Sequence, residues 1–173
     1  EETSGYVEGI LKPIVQKTPS FCRDTTDFLN KLSGLGELPE NTLLVTMDVA
    51  ALYTSIPHKE GIDAVSSVLR ENHCASPKTV LALIKFILEH NVFSFGDKIY
   101  LQNHGTAMGT RFAPQYANLF MHRFEESFFG SRTLRPSFYT RYIDDIFFIW
   151  NHGEEALREL HQDINNFSPT IRL

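Results

Sequence analysis

The stretch from Phe138 to Trp150, FYTRYIDDIFFIW, constrains the fold more than any other. Two adjacent aspartates, Asp144 and Asp145, interrupt a run of aromatic and β-branched residues that would otherwise read as one strand. The pattern predicts two short strands with the acidic pair at or beside the turn between them. Carboxylates held against so much apolar surface carry a desolvation penalty, and two side by side repel each other. One resolution is a polar hairpin turn, which aspartate favours through local hydrogen bonds. The other is a divalent metal, because hard cations such as magnesium take carboxylate oxygens and share them with substrate phosphates.

A lone aspartate far upstream sits in the same kind of setting. Thr42 to Asp48, TLLVTMD, reads as a strand that ends on its carboxylate, followed by the still largely apolar VAALYTSIP. Alone, Asp48 reads first as the cap of a turn rather than as a ligand. If its strand neighbours the Asp-Asp strands in one sheet, three carboxylates converge at one edge. They would supply ligands for two divalent ions roughly 3.5–4 Å apart, the arrangement that clamps the attacking and leaving oxygens of a displacement at phosphorus. Successive strand residues face opposite ways, so Asp144, the first of the pair, is expected to be the stronger ligand.

The rest of the chain supplies helices and one more hairpin. Val7, Ile10, Leu11, Ile14 and Val15 have helical spacing broken by Pro13, which predicts one or two short turns. Asp24 is expected to cap a helix carrying Phe28, Leu29 and Leu32, ended by Gly34 and Gly36. Lys59 to Asn72 is amphipathic through Ile62, Val65, Val68 and Leu69. Ser76-Pro77 is a cap and first-turn signature for a helix with Val80, Leu81, Ile84, Ile87 and Leu88 inward. Phe93 to Gln102 alternates about Gly96-Asp97 as a hairpin. Gly105 and Gly109 lie in a polar loop feeding a helix with Ala117, Phe120, Met121, Phe124 and Phe128, and such a loop lets backbone approach a ligand. Arg111 in that loop would pair a phosphate or simply be solvated, and His58, His73 and His90 lack ligand spacing and read as solvated or capping. Glu154 to Phe167 is a last helix, and Thr170 to Leu173 reads as the start of another strand. This order indicates an α+β fold.

With 173 residues, of which 42% are hydrophobic, one compact unit is expected. No apolar run approaches the roughly 20 residues needed to span a bilayer, so a soluble, intracellular protein without a membrane partner is expected. Cys22 and Cys74 are too few and too far apart for a disulfide framework. A net charge of -5, from 16 basic and 21 acidic residues, argues against a stand-alone nucleic-acid binder. Because the chain starts at Glu1 and stops in a strand-like segment, it is expected to be a piece of a longer polypeptide whose other regions supply basic contacts.

Together, LLVTMDVAALYTSIP, GTAMGTRFAPQYANLFM and RYIDDIFFIW resemble palm motifs A, B and C of reverse transcriptases. The similarity is closest to Penelope-like retroelements and runs from about Ile10 to the end. It implies a right-handed polymerase palm, an antiparallel sheet with flanking helices, plus part of the fingers. Residues 1–41 would be a helical approach, 42–57 motif A, 58–104 the fingers part, and 105–173 motifs B and C. It also implies RNA-directed DNA synthesis with two Mg2+ ions, Mn2+ as a possible substitute, an RNA template, a DNA primer and dNTPs. Asp48, Asp144 and Asp145 would be the catalytic metal ligands, joined by the backbone carbonyl of Val49. Tyr53, five residues past Asp48, would screen the sugar 2′ position, where an aromatic ring clashes with a ribonucleotide hydroxyl. Without the resemblance it reads as a core tyrosine.

Gly109 would approach the nascent base pair closely, while Phe112, Ala113 and Pro114 shape the turn into the motif B helix. Met108 stands where many reverse transcriptases have glutamine, so any hydrogen bond from that side chain is lost. Recognisable upstream fingers motifs, later palm strands, the thumb and the GIY-YIG nuclease domain frequent in the family are not in this sequence. The family setting implies a mobile element that copies and integrates at chromosomal DNA in the nucleus. Two rivals remain: a decayed or domesticated binding scaffold, and a different two-metal enzyme such as a nuclease, which would have no use for the Tyr53 and motif B pattern.

Overall fold

A computed structural model describes residues 2–173. In chain order, α1 (Glu2–Val15), α2 (Thr25–Ser33), β1 (Leu43–Asp48), α3 (Leu52–Ser55), α4 (His58–Glu71) and α5 (Pro77–Glu89) come first. They are followed by the hairpin β2 (Val92–Phe95) and β3 (Lys98–Leu101), then α6 (Ala113–Gly130), β4 (Phe138–Tyr142), β5 (Asp145–Trp150) and α7 (Gly153–Phe167). The α+β class is as expected. Where length suggests one compact unit, contacts resolve two, each built from two pieces of chain: the part up to Lys17 with Ala51–Arg123, and Thr18–Ala50 with Phe124–Leu173.

In the first unit α1 is one continuous helix, not the broken turns that Pro13 suggests. Pro13 forfeits the bond its amide would donate to the Gly9 carbonyl and crowds that turn, yet the helix runs two residues further, carried by its buried face. Its buried stripe is Ser4, Val7, Leu11 and Val15, and it packs on α5. Helix α5 packs in turn on α4, burying Val80, Ile84 and Leu88 at intervals of four. Ser76 makes no side-chain cap bond, leaving the start of α5 to Pro77 at its first position. Helix α4 buries Gly61, Ala64, Val65, Val68 and Leu69. Gly61 is required by packing, because a Cβ there would lie 1.8 Å from the Tyr116 hydroxyl. The β2–β3 hairpin pairs Val92 with Leu101 and turns at Gly96, with φ +61°; all eight of its strand residues are exposed.

The second unit holds a three-stranded antiparallel sheet in the order β1-β5-β4. Central strand β5 buries Ile146, Phe148 and Trp150 on one face and, towards its end, Ile149 on the other. Phe124 and Phe128 stack with each other, and both meet Phe167 of α7 edge-on. Helix α2 starts as expected, with the Asp24 carboxylate accepting from the Asp27 amide at 2.8 Å. Its packing is slighter than predicted: Phe28 meets Phe147 edge-on at 5.0 Å, but Leu29 is 57% exposed and no residue of the helix is fully buried. No strand forms over Thr170–Leu173. The segment is nonetheless anchored, with Ile171 buried and the Ala50 amide donating to the Arg172 carbonyl at 2.9 Å.

Candidate active site

The β4–β5 hairpin closes through two residues, Ile143 and Asp144, with Tyr142 paired to Asp145. Two-residue hairpin loops need a positive φ at the first central position, a demand that glycine usually meets. Here it falls on Ile143, at φ +58°. A left-handed conformation costs an L-residue roughly 1–2 kcal/mol, and a β-branched residue suits it least. The surrounding structure holds that conformation in place.

The holding group is Arg141, only 1% exposed. Its Nη1 donates to the Ile143 carbonyl at 2.8 Å, and its Nε donates to Oε1 of Glu125 at 2.5 Å. Glu125, also buried, accepts from the Tyr139 hydroxyl at 2.9 Å and the Ser20 hydroxyl at 2.6 Å. Burial first, then the adjacent Glu125 carboxylate, push the Tyr139 phenol well above its ordinary pKa, so it stays a donor. The Arg141 backbone is tied on both sides as well, its amide to the Ser20 carbonyl at 2.7 Å and its carbonyl to the Cys22 amide at 2.9 Å. The network is not readable locally, because Arg141 looks like an outward charge on a strand and Glu125, Ser20 and Cys22 are remote from it in sequence.

Asp48 ends β1 directly opposite Asp145 on β5, and both are exposed. Asp144, half-buried in the loop, joins this edge through its backbone: its carbonyl accepts from the Val49 amide at 3.1 Å. Asp145, not Asp144, is therefore in register with Asp48. A cleft of about 820 Å³ is lined by Asp48 and Asp145 together with Asp24, Cys22, Phe28 and Phe147. The expected close trio is not gathered: among the described residues no three Asp, Glu, His or Cys side chains sit together closely enough to hold a metal ion. The strand register brings one carboxylate of the adjacent pair opposite Asp48, and the turn takes the other.

The pair still fits a hard cation. Like charges directly opposite on neighbouring strands repel, and among the described residues no side chain or amide pairs with the Asp48 or Asp145 carboxylate. Two oxygen-donor groups at an open sheet edge are the ligand type that magnesium or manganese takes.

The second set of predicted residues lies in the first unit. Gly109 has φ +97°, exposed, with open space where a Cβ would project. The tighter glycine is Gly105, at φ +67°, where a Cβ would sit 2.5 Å from both the Tyr53 oxygen and Thr54 Cα. Tyr53, half-buried on α3, has its carbonyl held by the Thr106 amide at 2.7 Å. Phe112 and Ala113 are buried, and the Phe112 amide donates to the Ser4 hydroxyl of α1 at 3.1 Å. They and Pro114 therefore serve the turn into α6. Arg111, read as solvated or phosphate-binding, pairs with Glu8 at 3.4 Å while remaining largely exposed. His90 caps its own helix through the Phe86 carbonyl, as its position suggests. His58 does not: its ring reaches the Gly105 carbonyl at 2.7 Å, a contact no spacing in the sequence signals.

Known proteins resemble this arrangement. Apo telomerase from Candida tropicalis, truncated from its C-terminal domain, superposes with a TM-score of 0.72 at 14% identity, over 97% of this chain and 38% of that one. Telomerase from Candida albicans in complex with a TWJ fragment of telomeric RNA gives 0.72 at 12% identity, over 92% and 31%. At such identities the likeness is one of fold, and the chain spans about a third of the length of those telomerases. No curated protein matches by sequence. The profile of the family described as reverse transcriptase (RNA-dependent DNA polymerase) matches residues 6–173, nearly the whole chain, and the chain belongs to that family.

Proposed function

We propose that this chain is the catalytic core of an RNA-directed DNA polymerase of a Penelope-like retroelement, adding deoxynucleotides to a DNA primer on an RNA template in the nucleus. The observation that carries the reading is the register of Asp48 with Asp145 at one sheet edge, with Asp144 in the adjoining turn. Family membership and the telomerase-like fold support it.

Asp48 and Asp145 would hold the divalent ions, with Asp144 and the Val49 carbonyl as further oxygen donors beside them. Bound there, Mg2+ or Mn2+ would sharpen the nucleophilicity of the primer 3′-hydroxyl and neutralise charge on the leaving pyrophosphate. The chain's own residues do the rest. The Arg141–Glu125 pair keeps the Ile143 turn, and so the spacing of the two aspartates, fixed before substrate arrives. Tyr53 would exclude a 2′-hydroxyl by its bulk, and Gly109 would let the template-side backbone come close, since nothing occupies the space a side chain would fill.

The test is primer extension on an RNA template by the polypeptide that carries this sequence, beside its Asp48→Asn, Asp144→Asn and Asp145→Asn variants. Loss of roughly a thousandfold or more is expected for Asp48→Asn and Asp145→Asn, the scale at which electrostatic stabilisation of a transition state acts. Undiminished extension by Asp48→Asn would remove the metal assignment. A folded wild-type protein that binds a primer–template yet extends nothing would instead indicate a scaffold.

A further inference from the structure

We propose that His58 is a positioning residue for sugar selection: by holding the Gly105 carbonyl it fixes the backbone that carries Tyr53. The inference rests on the reading of Tyr53 as the gate against ribonucleotides.

Helix α3 cannot hold Tyr53 in place unaided. It has four residues, its N-cap Ala51 sits at φ +48°, and no side chain caps it. An element of one turn gains too little from its own hydrogen bonds to be stable. It is tied to the neighbouring loop, where the Thr106 amide donates to the Tyr53 carbonyl at 2.7 Å. Gly105 lies so close that a Cβ would come within 2.5 Å of the Tyr53 oxygen and Thr54 Cα. With no room for slack, the loop and the gate backbone move together.

Among the described residues two side chains bond carbonyls of this loop, Gln102 that of His104 at 2.9 Å and His58 that of Gly105, and only the second acts at the residue pressed against the Tyr53 backbone. The Gly105 carbonyl can only accept, so Nε2 of His58 carries the proton of their 2.7 Å contact whatever the charge of the ring. His58 is the first residue of α4. Its own carbonyl accepts from the Tyr116 hydroxyl at 3.4 Å, and the buried Tyr116 ring seats against Gly61. A continuous path therefore runs from the packed face of α4 and α6, through His58 and Gly105, to Tyr53. Deleting the imidazole strands a carbonyl on buried Gly105 and lets the loop shift. Discrimination by steric clash is sensitive to displacements well under 1 Å.

The experiment uses the full polypeptide in single-nucleotide primer extension with matched deoxy- and ribonucleotides, comparing kcat/KM ratios. His58→Ala should lower discrimination roughly three- to tenfold, the range of one hydrogen bond. His58→Gln, whose amide nitrogen reaches about as far as Nε2, should restore most of it. Hydrogen exchange supplies a readout independent of turnover: the Thr106 amide should exchange faster in His58→Ala and stay protected in His58→Gln. Tyr53→Val separates the two claims. If it lowers discrimination while His58→Ala leaves both the ratio and the Thr106 protection unchanged, the role of His58 is overturned. If Tyr53→Val leaves sugar choice unchanged, the gate reading fails, and with it the link from His58 to selectivity, whatever the exchange data show.

Discussion

Asp48 and Asp145 face each other across adjacent strands, and among the described residues no cationic side chain relieves them. An opposed like-charged pair destabilises a sheet by up to about 1 kcal/mol. Asp48→Asn should therefore raise the melting temperature in metal-free buffer even as it removes activity. Millimolar Mg2+ should raise the melting temperature of the wild type and leave that of Asp48→Asn nearly unmoved, since only a protein that binds the ion is stabilised by it. Calorimetry with and without chelator checks both. A wild type indifferent to Mg2+ and Mn2+ would mean that this edge holds no cation in the absence of nucleotide.

At the scale of elements, the β4–β5 hairpin is a strained turn held by a buried ion pair. Arg141→Met would leave Glu125 buried without its cation and cost about 3–5 kcal/mol. Adding Glu125→Leu should return part of that stability, because well-packed apolar groups replace buried pairs at little cost. It should not return activity, because the Ile143 carbonyl still lacks its donor. Urea denaturation and primer extension on the single and double variants separate the two effects; activity that recovers with stability would make the pair merely structural.

Helix α2 gives a pH prediction. The Asp27 amide, then Arg23, hold the Asp24 carboxylate below its ordinary pKa of 3.8. A depressed folded-state pKa contributes stability that is present above 3.8 and lost as pH falls through the lower folded value. Asp24→Asn keeps a capping oxygen but cannot titrate, so its stability relative to the wild type should rise as the pH drops below 4, by a small amount because the site is solvent-screened. Parallel acid titrations of the two proteins, followed by circular dichroism, would show it.

These elements also mark what could be read in advance. The two hairpins and the amphipathic helices were legible because alternation, spacing and turn residues are local. The Asp48–Asp145 edge was half legible: the residues were evident, but which of two adjacent aspartates met Asp48 depended on a register that only pairing reveals. Arg141, Glu125 and His58 were illegible because each acts through a partner remote in sequence. Pro13 misled because tertiary burial of Val7, Leu11 and Val15 carries the helix past its breaker.

At the scale of the whole molecule, the conspicuous surface is the β2–β3 hairpin. Val92, Phe93, Phe95, Ile99, Tyr100 and Leu101 are between 41% and 79% exposed. Among the described residues no helix is long and apolar enough to cross a membrane, so this apolar surface belongs to no spanning helix. Apolar residues concentrated on a two-stranded sheet with open edges favour self-association. A net charge of -5 opposes it only weakly, because screening confines repulsion to about a Debye length. The 173-residue chain alone should therefore associate in a concentration-dependent way, more so at high salt. Phe95→Lys with Ile99→Lys should suppress association without lowering the melting temperature, since neither side chain is part of a core. Sedimentation velocity at low and high salt decides between outcomes. If the double variant associates as strongly as the wild type, the contact lies elsewhere; if it melts well below the wild type, the hairpin's apolar residues stabilise their own unit.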